Sequence, residues 1–237
     1  LNMVNDLKAP FSTHISETKK EVEDCINKRG VSPVKYFNDL GMFKHGGTLY
    51  HGIHLSDDDI KIIADNHVNV VTNPGSNTKL ASGICDVTKL LRNGINVAIG
   101  TDGAASNNSL DMFKEMSLVS SLAKIHDNDS SALPADMILK MATVNGSKVM
   151  QLDDIDTLEV GKIADIIMID LHMPNMQPLT NILKNIVYAG NKSNVALTMI
   201  DGKILFKDHK FIPEFDVEEI YRNAQKCSDR LTSVFKK

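Results

Sequence analysis

His14, His51 and Asp102 have side chains that could share one piece of chemistry, although they are widely spaced in a chain of 237 residues. Imidazole nitrogens and a carboxylate oxygen together suit Zn²⁺ or a similar divalent ion. Each stands at the end of a short apolar run: His14 closes residues 9–14, His51 closes 47–51, and Asp102 follows 95–100. A fourth run, 68–72, ends at Asn73-Pro74. In parallel α/β architectures the chemistry sits at the carboxyl ends of strands. Taken singly, a strand-end histidine is more often structural than functional, and Asp102 before Gly103 suits a simple turn. Their joint placement on one rim carries the inference.

Glu17, three residues past His14, has two readings. It could be a helix-start carboxylate that complements the dipole, or a group on the pocket wall that hydrogen-bonds a substrate. His54, three residues past His51, reads as structural with a supporting role as the alternative. His45, His67, His126, His172 and His209 read as solvated or structural. Neither a GxGxxG nor a P-loop motif occurs, so nucleotide-phosphate binding has no support. Ser76, Ser106 and Ser109 lack a GxSxG elbow, which argues against acyl-serine chemistry.

These residues need elements to place them. Apolar runs alternate with helical patterns over the first two-thirds of the chain. Strands are expected at 9–14, 47–51, 68–72 and 95–100, with helices at 17–29, 33–40, 56–66 and 86–92. Val22, Cys25 and Ile26 form the apolar stripe of the first helix, and Gly30 is its stop signal. Ser56 with Asp59 is close to a capping box. The near-continuous apolar run at 95–100 suits a strand buried on both faces. Four strand–helix units of this kind imply parallel strands with helical crossovers, in a doubly wound sheet or a (β/α) barrel. Helices at 110–126 and 134–150 follow, with Pro134 in a first helical turn. The texture then changes. Apolar runs at 166–170, 195–200 and 203–206 make a small β-unit, and Asp201-Gly202 between the last two is a strong hairpin signal. A helix at 217–235 closes the chain. The expected domains are therefore 1–152, 153–215 and 216–237.

Composition limits the function classes. Hydrophobic residues are 42% and charged residues 24%, which is ordinary for a globular protein. Net charge is −4, and no Lys/Arg run exceeds two residues, so no nucleic-acid footprint exists. No apolar stretch approaches the roughly 18–20 residues of a membrane span. Cys25, Cys85 and Cys227 are far apart and form no CxxC pair, so reduced thiols in a cytoplasmic protein are expected. The sequence opens Leu1-Asn2-Met3, without an initiator Met, which suits a piece of a longer chain.

As a set, these residues resemble the deaminases of the amidohydrolase superfamily. His14-Ile15-Ser16-Glu17-Thr18 is similar to the H-x-x-E-T that ends their fifth barrel strand. Tyr50-His51-Gly52-Ile53-His54-Leu55-Ser56 resembles the sixth-strand A-H-C-V-H-L-S. The stretch from Asn73-Pro74-Gly75-Ser76-Asn77 to Lys79-Leu80-Ala81-Ser82-Gly83 resembles the N-P-x-S-N-x-K-L-x-S-G loop after the seventh. Gly100-Thr101-Asp102-Gly103-Ala104-Ala105-Ser106-Asn107-Asn108 matches the eighth-strand G-T-D-G-A-A-S-N-N. Met141 to Gly146 and Gly161 to Asp165 look like the later M-A-T-x-N-G and G-K-x-A-D elements. Within the superfamily the resemblance is to the 5-methylthioadenosine/S-adenosylhomocysteine deaminases, near the chlorohydrolase-like branch.

The resemblance implies that His14 and Asp102 are ligands of a divalent metal, zinc foremost, with iron or nickel as alternatives. It implies that His51 sits beside the metal and shuttles protons, and that Glu17 contacts the purine. Asp102 would also take a proton from the attacking water. The implied reaction is hydrolytic deamination of an adenosine-type nucleoside; guanine or triazine hydrolysis on the same fold is the alternative. The family's first-strand H-x-H is absent here. A full (β/α)₈ barrel takes about 250 residues, and the matching motifs belong to strands five to eight. The expected fold is thus the carboxyl-terminal half of a TIM-type hydrolase barrel, part of a small β-sandwich and a terminal helix. Such a chain is expected to hold metal weakly, to deaminate nothing alone, and to self-associate or pair with an amino-terminal half. A non-catalytic fragment and a metal-free binding module are the readings of another class.

Overall fold

The computed structural model describes residues 2–212 and 215–233. The chain divides into two compact units, Leu1–Lys162 with Leu171–Asn194, and Ile163–Asp170 with Val195–Lys237.

The first unit opens with a short helix, α1 (Asn2–Leu7), and is built on a parallel sheet. Its strands are β1 (Phe11–Ile15), β2 (Gly47–His51), β3 (Asn69–Thr72) and β4 (Val97–Ile99), in the order β1-β2-β3-β4. The register pairs Ile15 with His51, Thr48 with Asn69 and Val70 with Val97. Parallel neighbours need long crossovers. Helices α2 (Lys19–Arg29) and α3 (Pro33–Asp39) supply the first, α4 (Asp57–Asp65) the second, and α5 (Pro74–Lys79) with α6 (Val87–Arg92) the third.

Local chemistry sets these boundaries. Thr18 caps α2, and Gly30 ends it at φ 78°, a left-handed turn that suits a residue without Cβ. Val22 and Cys25 are half-buried and Ile26 is exposed, so the stripe of α2 covers less core than its spacing suggests. Ser56 and Asp59 form a full capping box at the start of α4, and the buried Asp59 also accepts from Ser32 Oγ. All three residues of β4 are buried, as a strand covered on both faces requires. Ile15, Leu49, Val70 and Val97 of the sheet join Val34, Ile63, Leu90 and Ile138 of the helices in the core. Each such side chain contributes about 1.5–3 kcal/mol through burial.

After β4 come α7 (Ala104–Asn107), α8 (Met112–Asp127), α9 (Ala135–Met141) and α10 (Val144–Met150). The single helix expected at 134–150 is therefore two. Thr143 leaves helical geometry at φ −131° and ψ −95°, and its hydroxyl bonds back to the Leu139 carbonyl at 2.7 Å. The break lets Asn145 Nδ2 donate to the Val97 carbonyl at 2.8 Å. Pro134 is the N-cap of α9, with extended ψ 159°, and lies outside the helical turn expected for it.

A further helix, α11 (Ile182–Tyr188), packs on α8 and α9. Val187 and Met176 are wholly buried there, and Gly190 lies so close to the Phe113 ring that a Cβ would meet it. Through this packing 171–194 group with the first unit.

The second unit is an antiparallel sheet in the order β5-β6-β7-β8: β5 (Ile166–Ile169), β6 (Val195–Ile200), β7 (Lys203–Lys207) and β8 (Lys210–Phe211). Asp201 at φ 52° and Gly202 at φ 70° make the expected two-residue hairpin turn. Helix α12 (Val217–Ser233) follows; the end expected for it at Phe235 lies outside the described residues. No helix among the described residues is long and apolar enough to cross a membrane.

Candidate active site

The carboxyl ends of β1, β2 and β4 bring together the three residues that the sequence placed there. His14, His51 and Asp102 each offer a ligand atom, and these atoms lie within 4.8 Å of one another. The two imidazole rings are 5.1 Å apart, inclined at 37°. The donor set, two imidazoles and a carboxylate, fits Zn²⁺ or a related divalent ion.

The backbone bends sharply at these strand ends. Ser16, His51 and Asp102 adopt φ of 50°, 72° and 58°, left-handed values that residues with a Cβ rarely take. Such geometry costs on the order of 1–3 kcal/mol per residue and persists only where the surroundings hold it.

Hydrogen bonds do the holding. His51 is only 1% exposed, and its Nδ1 lies 2.7 Å from Oδ1 of Asn77. A carbonyl oxygen can only accept, so Nδ1 carries a proton. The other nitrogen, Nε2, faces Glu17 Oε2 at 3.9 Å and Asp102 Oδ2 at 4.0 Å. Asp102 accepts from Ser76 Oγ and from the Gly103 N–H, both at 2.7 Å. Partial burial pushes the Asp102 carboxyl upward. The bonds from Ser76 and Gly103, with His51 and His14 nearby, outweigh that and hold it below the usual carboxylate range.

Glu17 precedes α2. Glu21, four residues on, is the carboxylate that accepts the Ser16 and Glu17 N–H groups, at 2.7 and 2.8 Å. Glu17 instead turns towards His51 and accepts from Ser82 Oγ at 3.3 Å. His54 Nε2 lies 2.8 Å from the Ser82 carbonyl, so it braces the residue that contacts Glu17.

Sequence reasoning passed over Ser76, Asn77 and Ser82 as site residues. Ser76 and Asn77 lie on α5, whose Pro-Gly-Ser-Asn composition reads as loop; Pro74 at the first helical position was the available signal. Away from this rim, His126 pairs with Asp127 at 3.0 Å, and Asp86 lies close by. Arg92 is 3.7 Å from Asp127, so a cation already serves that group.

Residues 1–205 match the Amidohydrolase family. A protein of Thermoanaerobacter pseudethanolicus named 5-methylthioadenosine/S-adenosylhomocysteine deaminase is 41% identical over 232 residues, 98% of this chain and 54% of that protein. A 5'-deoxyadenosine deaminase of Methanosphaera stadtmanae is 38% identical over 92% of this chain and 51% of its own length. The crystal structure of an adenosine deaminase from Xanthomonas campestris with bound zinc superposes with a TM-score of 0.92, at 36% identity. That alignment covers 98% of this chain and 53% of that one. The chain thus spans about half the length of the curated relatives it matches.

Proposed function

Because the chain belongs to the amidohydrolase family, we propose that it carries part of the catalytic centre of a metal-dependent deaminase acting on an adenosine-type nucleoside. The substrates in view are 5-methylthioadenosine, S-adenosylhomocysteine and adenosine, and the products are the inosine analogue and ammonia. One observation carries the reading. The buried His51 turns Nε2 towards two carboxylates, Glu17 and Asp102, beside a second imidazole, His14.

Deamination adds water at C6 of the adenine ring and breaks the C6–N bond. His14 and Asp102 would hold the divalent ion, with His51 at its side. Such an ion supplies Lewis-acid activation of water at neutral pH. Asp102, ionised at neutral pH, accepts the proton that the attacking water gives up. His51, whose Nδ1 is fixed by Asn77, takes and returns a proton at Nε2. Delivered to the departing amine, that proton lets ammonia leave rather than amide. Transfers of this kind are worth about 10²–10⁴ in rate. Glu17, steadied by Ser82, hydrogen-bonds the purine.

The chain provides three ligand-competent side chains on this rim and has no H-x-H sequence. Alone, it therefore binds divalent metal weakly and deaminates nothing; the activity belongs to the longer polypeptide. The test is ammonia release from the three nucleosides by the complete protein. Release from at least one supports the reading. Hydrolysis of guanine or a triazine instead, or of none of these, overturns it. Stoichiometric zinc together with turnover by this chain alone would remove the claim of dependence on a longer polypeptide.

A further inference from the structure

Glu115 of α8 is buried, with 0% exposure, and belongs to none of the elements that carry the rim. Both carboxylate oxygens are engaged. Oε2 accepts the Gly75 N–H at 2.7 Å, and Oε1 accepts from Asn107 Nδ2 at 2.8 Å. Asn107 Nδ2 also donates to the Thr101 carbonyl at 2.7 Å.

The two arms end beside the site. Gly75 directly precedes Ser76 and Asn77, whose side chains hold Asp102 and His51. Thr101 directly precedes Asp102. One buried carboxylate therefore ties the segment after β3 to the segment after β4. The close approach also explains the glycine: a Cβ at position 75 would run into Glu115 Oε1 and the Asn107 amide. A buried carboxylate is costly, and an apolar side chain would fill the same space more cheaply. Burial pushes the Glu115 carboxyl up, against the bonds from Asn107 and Gly75.

We infer that Glu115 is a positioning residue that sets Asp102 and His51 relative to each other by clamping the β3–α5 and β4–α7 segments. The part of this inference that concerns turnover rests on the deaminase reading; the part that concerns geometry does not.

Glu115→Gln keeps the volume but presents an NH₂ group to one of two donors, so one arm must open. In the 237-residue chain, hydrogen exchange and imidazole ¹⁵N NMR read the result. The Gly75 amide is expected to exchange at least about tenfold faster, because a buried donor loses its acceptor. The His51 ring is expected to shift from a single Nδ1–H tautomer to a mixture, with far-UV circular dichroism unchanged. Wild-type exchange at Gly75 together with a wild-type His51 signal overturns the inference. Should that variant fail to fold, Asn107→Ala removes the Asn107 bonds to Glu115, Thr101 and Lys114 and leaves the Glu115 bond to Gly75 in place. It is expected to move the Asp102 carboxyl ¹³C signal and to leave Gly75 protected; an unmoved Asp102 signal overturns the clamp. In the complete protein, Glu115→Gln is expected to lower kcat for 5-methylthioadenosine about tenfold, with KM within about twofold. A change confined to KM contradicts a positioning role. If the wild-type complete protein deaminates none of the nucleosides, the deaminase reading fails, and the NMR result still decides the clamp.

Discussion

Nδ1 of His51 is 2.7 Å from Oδ1 of Asn77, and both side chains are buried. That contact decides which ring nitrogen is protonated and leaves Nε2 to face the carboxylates. Asn77→Ala is expected to reduce kcat of the complete protein by about 10–100-fold, because the ring loses its fixed tautomer and orientation. Asn77→Asp keeps an acceptor at that position and should retain more activity than the alanine variant. Steady-state ammonia release compares the two, and an alanine variant as active as wild type would rule out the tautomer argument.

On the proposed reading, Asp102→Asn removes a metal ligand and a proton acceptor in one step. Turnover of the complete protein should fall by at least about 10²-fold, and zinc content by elemental analysis should fall with it. Retained activity would strip Asp102 of its assigned role.

The three thiols should separate by reactivity. Cys227 is exposed, Cys25 is half-buried and Cys85 is buried. Burial pushes the Cys85 thiol up to about 12, and the hydrogen bond to Thr72 only partly offsets that. The thiolate is the reactive species. At pH 8 an aromatic disulfide reagent should therefore titrate Cys227 first, Cys25 next, and Cys85 only on unfolding. Labelling followed by peptide mass analysis reads the order directly.

Ser56→Ala removes the hydroxyl that serves the Asp59 N–H and leaves the buried Asp59 carboxylate short of a donor. A lost N-cap costs about 0.5–2 kcal/mol. Urea unfolding should show a lower midpoint at an unchanged slope. A midpoint equal to wild type would mean that Ser32 and the Ser56 backbone N–H together satisfy Asp59.

Asp127 is held below the usual carboxylate range, first by His126, then by Thr88, with burial opposing. A depressed folded pKa adds stability above the unfolded value of about 3.9. That stability is lost as the pH falls through the lower folded value. The melting-temperature gap between wild type and Asp127→Asn should be larger at pH 5 than at pH 3. A gap that widens with acid would reverse the assigned sign.

The sequence made the parallel sheet and the three-residue rim readable because both rest on local signals. Apolar runs of strand length end in His14, His51 and Asp102, and Gly30 and Ser56 mark helix boundaries by their own chemistry. What it concealed depends on distant partners. α5 and α7 are six and four residues long, too short to show a period. Glu115 looks like any acidic residue of a long helix; only the fold turns it inward onto Gly75 and Asn107. The role of Asn77 was concealed for the same reason, since the histidine it orients lies 26 residues earlier. α11 is not legible in the sequence because its apolar face packs on α8 and α9, which lie well back along the chain.

The left-handed turns at Ser16, His51 and Asp102 bear on how this protein could change over generations. At each position a glycine would relax the backbone, and at the partly exposed Asp102 it would do so without emptying the core, whereas at buried His51 the cavity and the orphaned Asn77 would oppose it. The persistence of Asp102 would then require a countervailing benefit.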